Sequence, residues 1–128
     1  MIATLETKTG LPLLRLALTA DAVVTGANGL IYLAAATLLD DVLGPQARFL
    51  QLIGAFLIVF AIGVGALAAR TNPNPLPVIA ANAAWAVASL AYAATSDALT
   101  TIGTVWTVLQ AGVVAGFAAL QIMGLRRL

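Results

Sequence analysis

The sequence contains no cysteine and no histidine. Without thiols there can be no disulfide bond, thiolate metal site or thiol catalysis. Without imidazoles the usual ligands of haem and zinc are missing, and no lysine lies inside an apolar run to form a retinal-type Schiff base. These absences predict no metal site, and they leave the identity of any other cofactor open.

Charge is also scarce. Charged residues make up 9% of the chain, the formal net charge is +1, and most of the six Lys and Arg residues stand near the ends of apolar runs. A nucleic-acid surface needs a basic patch that these residues cannot build. The sequence also pairs no nucleophile with a base and has no phosphate-binding loop or second intramembrane acid, so we expect a protein that is not an enzyme.

Apolar residues dominate what remains. They account for 62% of the 128 residues and form runs long enough to cross a bilayer, which is typical of an integral membrane protein. After a polar lead at residues 1–10, the spans are predicted at about 11–39, 46–70, 76–95 and 98–125. The sequence therefore predicts one all-α domain over residues 1–128, a membrane-embedded antiparallel four-helix bundle with up-down-up-down topology.

Turn residues suggest where each span begins or ends. Asp40 and Asp41 are expected to end the first span, and Pro45 is suited to the first position of the second helix. Three alternating prolines separate the second and third spans, and Pro77 is expected to open the third. Ser96-Asp97 is the predicted N-cap of the fourth.

The first span carries an acid inside its apolar run. Asp21, Thr25, Asn28 and Tyr32 recur at i, i+4, i+7 and i+11, which places them on one helical face. A charge at the bilayer centre costs about 2.5–3.5 kcal/mol on insertion scales, so Asp21 suggests a proton- or cation-binding carboxylate. The alternative is a carboxyl group that hydrogen-bonds to Asn82 or a threonine and fixes the helix register.

Two further polar faces accompany this one. In the third span they are Asn82, Trp85, Ser89, Tyr92 and Ser96, and in the fourth Thr100, Thr104, Thr107, Gln110 and Gln121. Together they predict a ligand-binding site formed by Asp21, Thr25, Asn28, Asn82, Trp85, Tyr92, Gln110 and Gln121. The alternative reading is interhelical hydrogen bonding, with Tyr92 and Trp106 as interfacial anchors.

Small residues mark two candidate packing faces, because they let helix backbones approach closely. Gly54, Ala61 and Gly65 share a face of the second span, and Gly112-x-x-x-Gly116 points away from the polar face of the fourth. The latter pair suggests an oligomer contact with a second copy or a larger complex. Close packing within one protomer is the alternative.

Basic residues predict the orientation. Five of the six lie on the side that holds both termini of a four-span chain, namely Lys8, Arg15, Arg70, Arg126 and Arg127, and Arg48 alone lies opposite. We therefore expect a multi-pass protein of the plasma membrane with cytoplasmic N- and C-termini.

Short stretches resemble a group of small four-helix integral membrane proteins common in actinobacteria. The similar stretches are Leu14-Arg-Leu-Ala-Leu-Thr-Ala-Asp21, Gly29-Leu-Ile, Ala81-Asn-Ala-Ala-Trp85, Ala118-Ala-Leu-Gln121 and Leu125-Arg-Arg. The group has no assigned activity. The resemblance implies a four-helix membrane fold and implicates Asp21, Asn82, Trp85 and Gln121.

Two functional hypotheses follow. The leading one is a non-catalytic membrane protein that acts through helix–helix contacts, as an accessory or assembly subunit or a self-associating scaffold. The alternative is a small transporter or a protein that binds a lipophilic ligand or cofactor at an intramembrane polar site around Asp21. Its partners are expected to be the lipid bilayer and a homo-oligomer or larger membrane complex, and no nucleic acid.

Overall fold

The chain folds into four helices. The computed structural model describes the backbone of residues 2–128 and the side chains of residues 10–128. Over that part of the chain the helices are α1 (Ile2–Leu43), α2 (Ala47–Ala68), α3 (Leu76–Thr95) and α4 (Thr101–Arg126), with no strand, so the predicted all-α class is confirmed. Each helix has a stretch long and apolar enough to cross a membrane, and in α1 that stretch is Gly10–Leu43.

Helix α1 is longer than the sequence predicts. It is helical from Ile2, so the lead is part of the helix. It kinks at Ala35, where φ is −112° and ψ is 16°, and continues through Asp40 and Asp41, which do not end it. The stop is Gly44, whose φ of +109° suits glycine and whose added Cβ would collide with the carbonyl oxygen of Ala98. Lys8 has its side chain outside the described residues.

The starts of α2 and α4 also differ from prediction, whereas α3 has the bounds of the predicted third span. Gln46 is the N-cap of α2, so Pro45 lies before the helix, and α3 starts at Leu76 with Pro77 as its second residue. The predicted cap at Ser96-Asp97 is wrong. Thr100 caps α4 instead, because its Oγ1 accepts the Gly103 N–H at 3.0 Å and donates to the Val42 carbonyl oxygen at 2.6 Å.

Helix α1 lies at the centre of the packing. Extensive helix contacts among the described residues join α1 to α2, α1 to α4 and α3 to α4. Glycines allow the closest approaches: a Cβ on Gly29 would lie 2.8 Å from the Gly54 carbonyl oxygen, and a Cβ on Gly124 would lie 2.8 Å from the Leu14 Cα. Because α2 and α3 are not packed on each other in this way, a seam is left between them.

The two ends of the bundle are filled differently. One end, called here the Arg15 end, holds a core of large buried apolar residues: Leu14, Leu18, Val64, Ala68 and Val78. There the Arg15 guanidinium donates to the carbonyl oxygens of Ala68 at 3.0 Å and Thr71 at 3.1 Å. The other end, called the Gly44 end, is where Gly44 meets Ala98, and it contains the cavity described below.

Candidate functional site

Asp21 lies at the centre of a buried hydrogen-bonded cluster. Its Oδ2 accepts the Asn82 Nδ2 at 2.7 Å and the Gln121 Nε2 at 2.8 Å, and its Oδ1 accepts the Thr25 hydroxyl at 2.9 Å. The Asn82 amide also donates to the Gln121 Oε1 at 3.2 Å. This cluster, named here the Asp21 cluster, joins α1, α3 and α4 at one level of the bundle.

Backbone packing explains why the three helices meet there. Gly124 lies one turn beyond Gln121 in α4 and contacts the backbone of Leu14, which lies two turns before Asp21 in α1. The lack of a side chain at Gly124 brings the two helices close enough for the Gln121 amide to reach the carboxylate. Asp21, Asn82 and Gln121 are 1%, 4% and 0% exposed. Because bulk water does not reach these side chains, their hydrogen-bond partners come from the protein.

The cluster is closed on itself. Arg15, the nearest basic residue along α1, is bonded to the C-terminal end of α2 and to the following loop rather than to Asp21. Among residues 10–128, no buried side-chain nitrogen or oxygen is left without a hydrogen-bond partner. The geometry at Asp21 is therefore that of an interhelical tie, with no polar atom turned toward a missing ligand.

A cavity of about 390 Å³ lies beside this cluster, toward the Gly44 end. All four helices and both adjoining turns line it, with mainly apolar and aromatic side chains: Thr25, Asn28, Tyr32, Leu43, Pro45, Phe49, Leu50, Ile53, Leu57, Trp85, Ala88, Ser89, Tyr92, Leu99, Gly103, Trp106, Thr107, Gln110 and Val114. A volume of a few hundred Å³, an apolar lining and a few polar groups are typical of small-molecule sites.

The structure divides the predicted site residues into two groups. Five line the cavity: Thr25, Asn28, Trp85, Tyr92 and Gln110. The other three, Asp21, Asn82 and Gln121, belong to the Asp21 cluster and do not line it. Thr25 belongs to both, because its side chain donates to Asp21 and borders the cavity. The polar face predicted on the first span therefore contributes to the Asp21 cluster at one end and lines the cavity at the other.

Two polar contacts between α1 and α4 form one wall of the cavity. The Asn28 Nδ2 donates to the Gln110 Oε1 at 2.9 Å, and the Trp106 Nε1 donates to the Tyr32 phenolic oxygen at 2.6 Å. With the Asp21–Gln121 bond, polar pairs follow one another along the same helix interface. They fix the spacing of α1 and α4, and the two nearer the Gly44 end also face the cavity.

Aromatic rings stand on the opposite side, at the seam between α2 and α3. The Phe56 and Trp85 rings are stacked with centroids 5.6 Å apart and an angle of 12° between their planes. Phe49 and Tyr92 lie nearer the Gly44 end, with centroids 6.0 Å apart and a 37° angle. These two ring pairs bridge helices that otherwise make little contact.

The predicted small-residue faces also separate. On α2, Gly54 packs against Gly29, Ala61 lies 3.4 Å from a Cβ built on Gly26, and Gly65 would place its Cβ 3.8 Å from the Ala22 Cβ. That face is turned toward α1. A Cβ built on Gly112 or Gly116 meets nothing within 4 Å, so close packing of this pair inside the protomer does not occur.

Several cavity residues were missed by sequence reasoning. Helix α2 contributes Phe49, Leu50, Ile53 and Leu57, and Trp106 was expected only as an interfacial anchor. Beyond Gln51, helix α2 is apolar on every side, so no polar face marks the side turned to the cavity. The sequence signal for these residues is only compositional: the chain is poor in aromatic residues, yet it has two tryptophans and two tyrosines that can share a site.

Comparison with protein-family models, with curated proteins and with solved structures finds no match to this chain.

Proposed function

We propose that the protein is embedded in a membrane as an antiparallel up-down-up-down bundle. Only 11 to 22% of the most apolar window of each helix is buried within the protein, and large apolar side chains such as Leu38, Val59 and Val87 are exposed on its outside. Exposed apolar area of this extent is suited to lipid. The contacts of Arg15 with Ala68 support antiparallel α1 and α2.

The proposed location is the plasma membrane, with both termini in the cytoplasm. Gly10 lies against the backbone of Arg127, which supports a shared side for the two ends of the described chain. Arg15, Arg70, Arg126 and Arg127 are at that Arg15 end, and the positive-inside rule assigns such an end to the cytoplasm. Kinship with the small actinobacterial four-helix proteins stays a prediction.

Within the membrane, the protein binds a lipophilic small molecule. The observation that carries this proposal is the cavity of about 390 Å³ among four helices, lined by five of the eight predicted ligand residues. Cores are normally packed to the density of organic crystals, so space of this size favours an occupant.

The lining favours binding over acid–base catalysis. It offers hydroxyl, amide and indole groups, and it includes no aspartate, glutamate, lysine or arginine side chain. Both carboxylate oxygens of Asp21 accept hydrogen bonds from protein side chains, Oδ1 from Thr25 and Oδ2 from Asn82 and Gln121. We therefore propose that the ligand binds in the neighbouring cavity and not at Asp21. Enclosure of the Asp21 carboxylate also disfavours a transport step through it.

Native mass spectrometry of protein extracted from its own membrane tests this proposal. We expect a protomer that carries a small molecule, and Ser89→Phe should remove that mass because a phenyl group at Ser89 projects into the cavity. Ala83→Phe is the matched control, since Ala83 is on the exposed side of the same helix. Bound mass that is equal in wild type and Ser89→Phe would mean lipid on the outer surface and would overturn the proposal.

Self-association is the second candidate, and it retains the scaffold hypothesis. The open space beside Gly112 and Gly116 favours it, because small residues on a lipid-facing helix admit a second helix closely. Gly112→Ile should then lower the assembly mass on blue-native gels, whereas Gly63→Ile, at an equally open position on α2, should not. An unchanged mass in both variants would exclude this face as the contact.

A further inference from the structure

All the tryptophan and tyrosine side chains of the chain line the same cavity. The sequence has two Trp and two Tyr, and Tyr32, Trp85, Tyr92 and Trp106 all line it. An interfacial belt accounts for rings near helix ends. Trp85, however, is midway along the 20-residue α3, about 15 Å from either end at 1.5 Å per residue. Phe56 stacks on Trp85 at that depth, and a flat, unsaturated occupant suits such aromatic surroundings.

The amide pair on the α1–α4 wall has hydrogen-bonding capacity left over. Asn28 donates to Gln110 through one amide nitrogen, and that is the only side-chain bond either residue makes among residues 10–128. Whichever way the two amides are turned, the pair retains one NH₂ group and one carbonyl oxygen. Both residues line the cavity, and neither leftover group is a buried atom without a partner among residues 10–128.

Tyr32 adds a second donor on the same wall. Its phenolic oxygen accepts the Trp106 Nε1, which leaves the phenol's own proton without an acceptor among the described residues. Asn28 and Tyr32 are about one turn apart on α1. The leftover amide NH₂ of the Asn28–Gln110 pair and the O–H of Tyr32 each need an acceptor oxygen. A carbonyl oxygen on the occupant satisfies them, whereas a bare hydrocarbon chain leaves both unpaired.

An uncharged occupant suits the lining of the cavity. No ionisable acid or base other than the two tyrosines is among the described residues that line the cavity, and the Asp21 carboxylate is enclosed in its own cluster. A charged head group would therefore be desolvated without a counter-ion. This disfavours a phospholipid head group as the molecule held there.

The seam between α2 and α3 supplies a route for an apolar tail. These helices are not among the extensively packed pairs, and the Phe56–Trp85 and Phe49–Tyr92 ring pairs bridge them at separate levels. A ring held against Trp85 could extend an alkyl chain outward between the two levels into lipid. The limited cavity volume of about 390 Å³ suits a ring with its tail outside.

We infer that the occupant is an uncharged lipophile with a flat unsaturated ring that bears carbonyl oxygen, as in an alkylated quinone. This inference rests on the proposed function and gives the chemical class of its ligand. The ring lies between Trp85 and the α1–α4 wall, a carbonyl oxygen accepts from Tyr32 or from the Asn28–Gln110 pair, and the tail leaves between α2 and α3.

Two probes that share a decyl chain and a six-membered ring test this inference. Decylubiquinone has ring carbonyls and decylbenzene has none. Each is titrated into detergent-purified full-length protein, and bound probe is counted by native mass spectrometry. We expect one decylubiquinone per protomer with a dissociation constant about tenfold lower than that of decylbenzene, as one additional hydrogen bond predicts.

Variants locate the recognition. Tyr32→Phe removes one O–H, and Asn28→Leu with Gln110→Leu replaces the amide pair by an apolar pair; each should raise the decylubiquinone dissociation constant several-fold and leave that of decylbenzene unchanged. Ser89→Phe should abolish binding of both probes, and Ala83→Phe should alter neither. Tyr32→Phe keeps the test valid if the double variant does not fold.

Two other results would count against the inference in different ways. Equal affinities for the two probes, unchanged in Tyr32→Phe, would overturn the carbonyl-bearing ring and leave the cavity as a lipophile site. No saturable binding of either probe to wild type would overturn the inference together with the proposed function.

Discussion

The Asn82 Nδ2 lies 2.7 Å from the Asp21 Oδ2, although the two residues are 61 positions apart in the chain. The same oxygen accepts the Gln121 Nε2 at 2.8 Å, so one carboxylate ties three helices together. A buried acceptor shared in this way specifies the rotation and the height of each helix relative to the others. The cavity exists next to this tie, where the same helices are held apart by amide and aromatic contacts.

Removing the Asp21 carboxylate should destabilise the bundle. Asp21→Leu leaves buried amide donors on Asn82 and Gln121 without an acceptor, and we expect it to lower the free energy of unfolding by about 1–3 kcal/mol. Asp21→Asn keeps an oxygen for both amides and can donate to the Thr25 hydroxyl, so its cost should stay below about 1 kcal/mol. Unfolding in increasing dodecyl sulfate, followed by circular dichroism, measures both.

The whole cluster can be replaced to separate a missing partner from a missing side chain. When Asp21, Asn82 and Gln121 are all changed to Leu, no amide donor is left unpaired and only the Thr25 hydroxyl lacks its acceptor, so part of the stability lost in Asp21→Leu alone should return. If the triple variant is instead less stable than Asp21→Leu, the Asn82 and Gln121 side chains stabilise the bundle by more than their hydrogen bonds to Asp21.

The Gly29–Gly54 contact should tolerate no side chain. Each Cβ would approach the other glycine's carbonyl oxygen, at 2.8 Å for Gly29 and 2.7 Å for Gly54, so Gly54→Val should separate α1 from α2 and cost about 1–3 kcal/mol of unfolding free energy. Gly63→Val on the same helix meets open space and serves as the control. Equal stabilities for the two variants would contradict the close helix contact.

Thr100 should act as the cap of α4. Thr100→Ala loses the bonds to the Gly103 N–H and to the Val42 carbonyl oxygen, which we expect to cost about 1 kcal/mol, whereas Thr100→Ser retains both. The same unfolding assay distinguishes them. A loss in Asp97→Ala that exceeded the loss in Thr100→Ala would favour the cap that the sequence predicted.

The proposed orientation can be measured because the chain has no cysteine, which makes any introduced thiol unique. Asp97→Cys should react with a membrane-impermeant maleimide in intact cells, and Arg127→Cys should react only after the membrane is permeabilised. The opposite pattern would place both termini outside.

Much of the fold was predictable from the sequence. In lipid the backbone groups have to be hydrogen-bonded within helices, so the lengths of the apolar runs and the positions of the prolines indicate where the helices are. The ends were less predictable. Asp40 and Asp41 suggested a stop that the chain passes, because the backbone turns where Gly44 adopts a positive φ. A helix end depends on one residue's backbone conformation more than on the polarity of its neighbours.

The candidate site was predictable only in part. Periodicity identified Asp21 and Asn28 as members of one face, yet it could not show that one is enclosed by amides and the other borders a cavity. The cavity exists because α2 and α3 are not closely packed on each other. Helix α2 is apolar along most of its length, so its sequence does not show which of its sides faces the cavity. The division of the polar face therefore required three-dimensional contacts.

The central claim is that the cavity, and not Asp21, holds the ligand. The most direct test is the native mass spectrum of Asp21→Asn protein extracted from its own membrane, beside that of Ser89→Phe. We expect Asp21→Asn protein to retain the bound small molecule at wild-type occupancy and Ser89→Phe protein to lose it. Loss of the molecule from Asp21→Asn, with retention in Ser89→Phe, would contradict the account and return the site to the buried carboxylate.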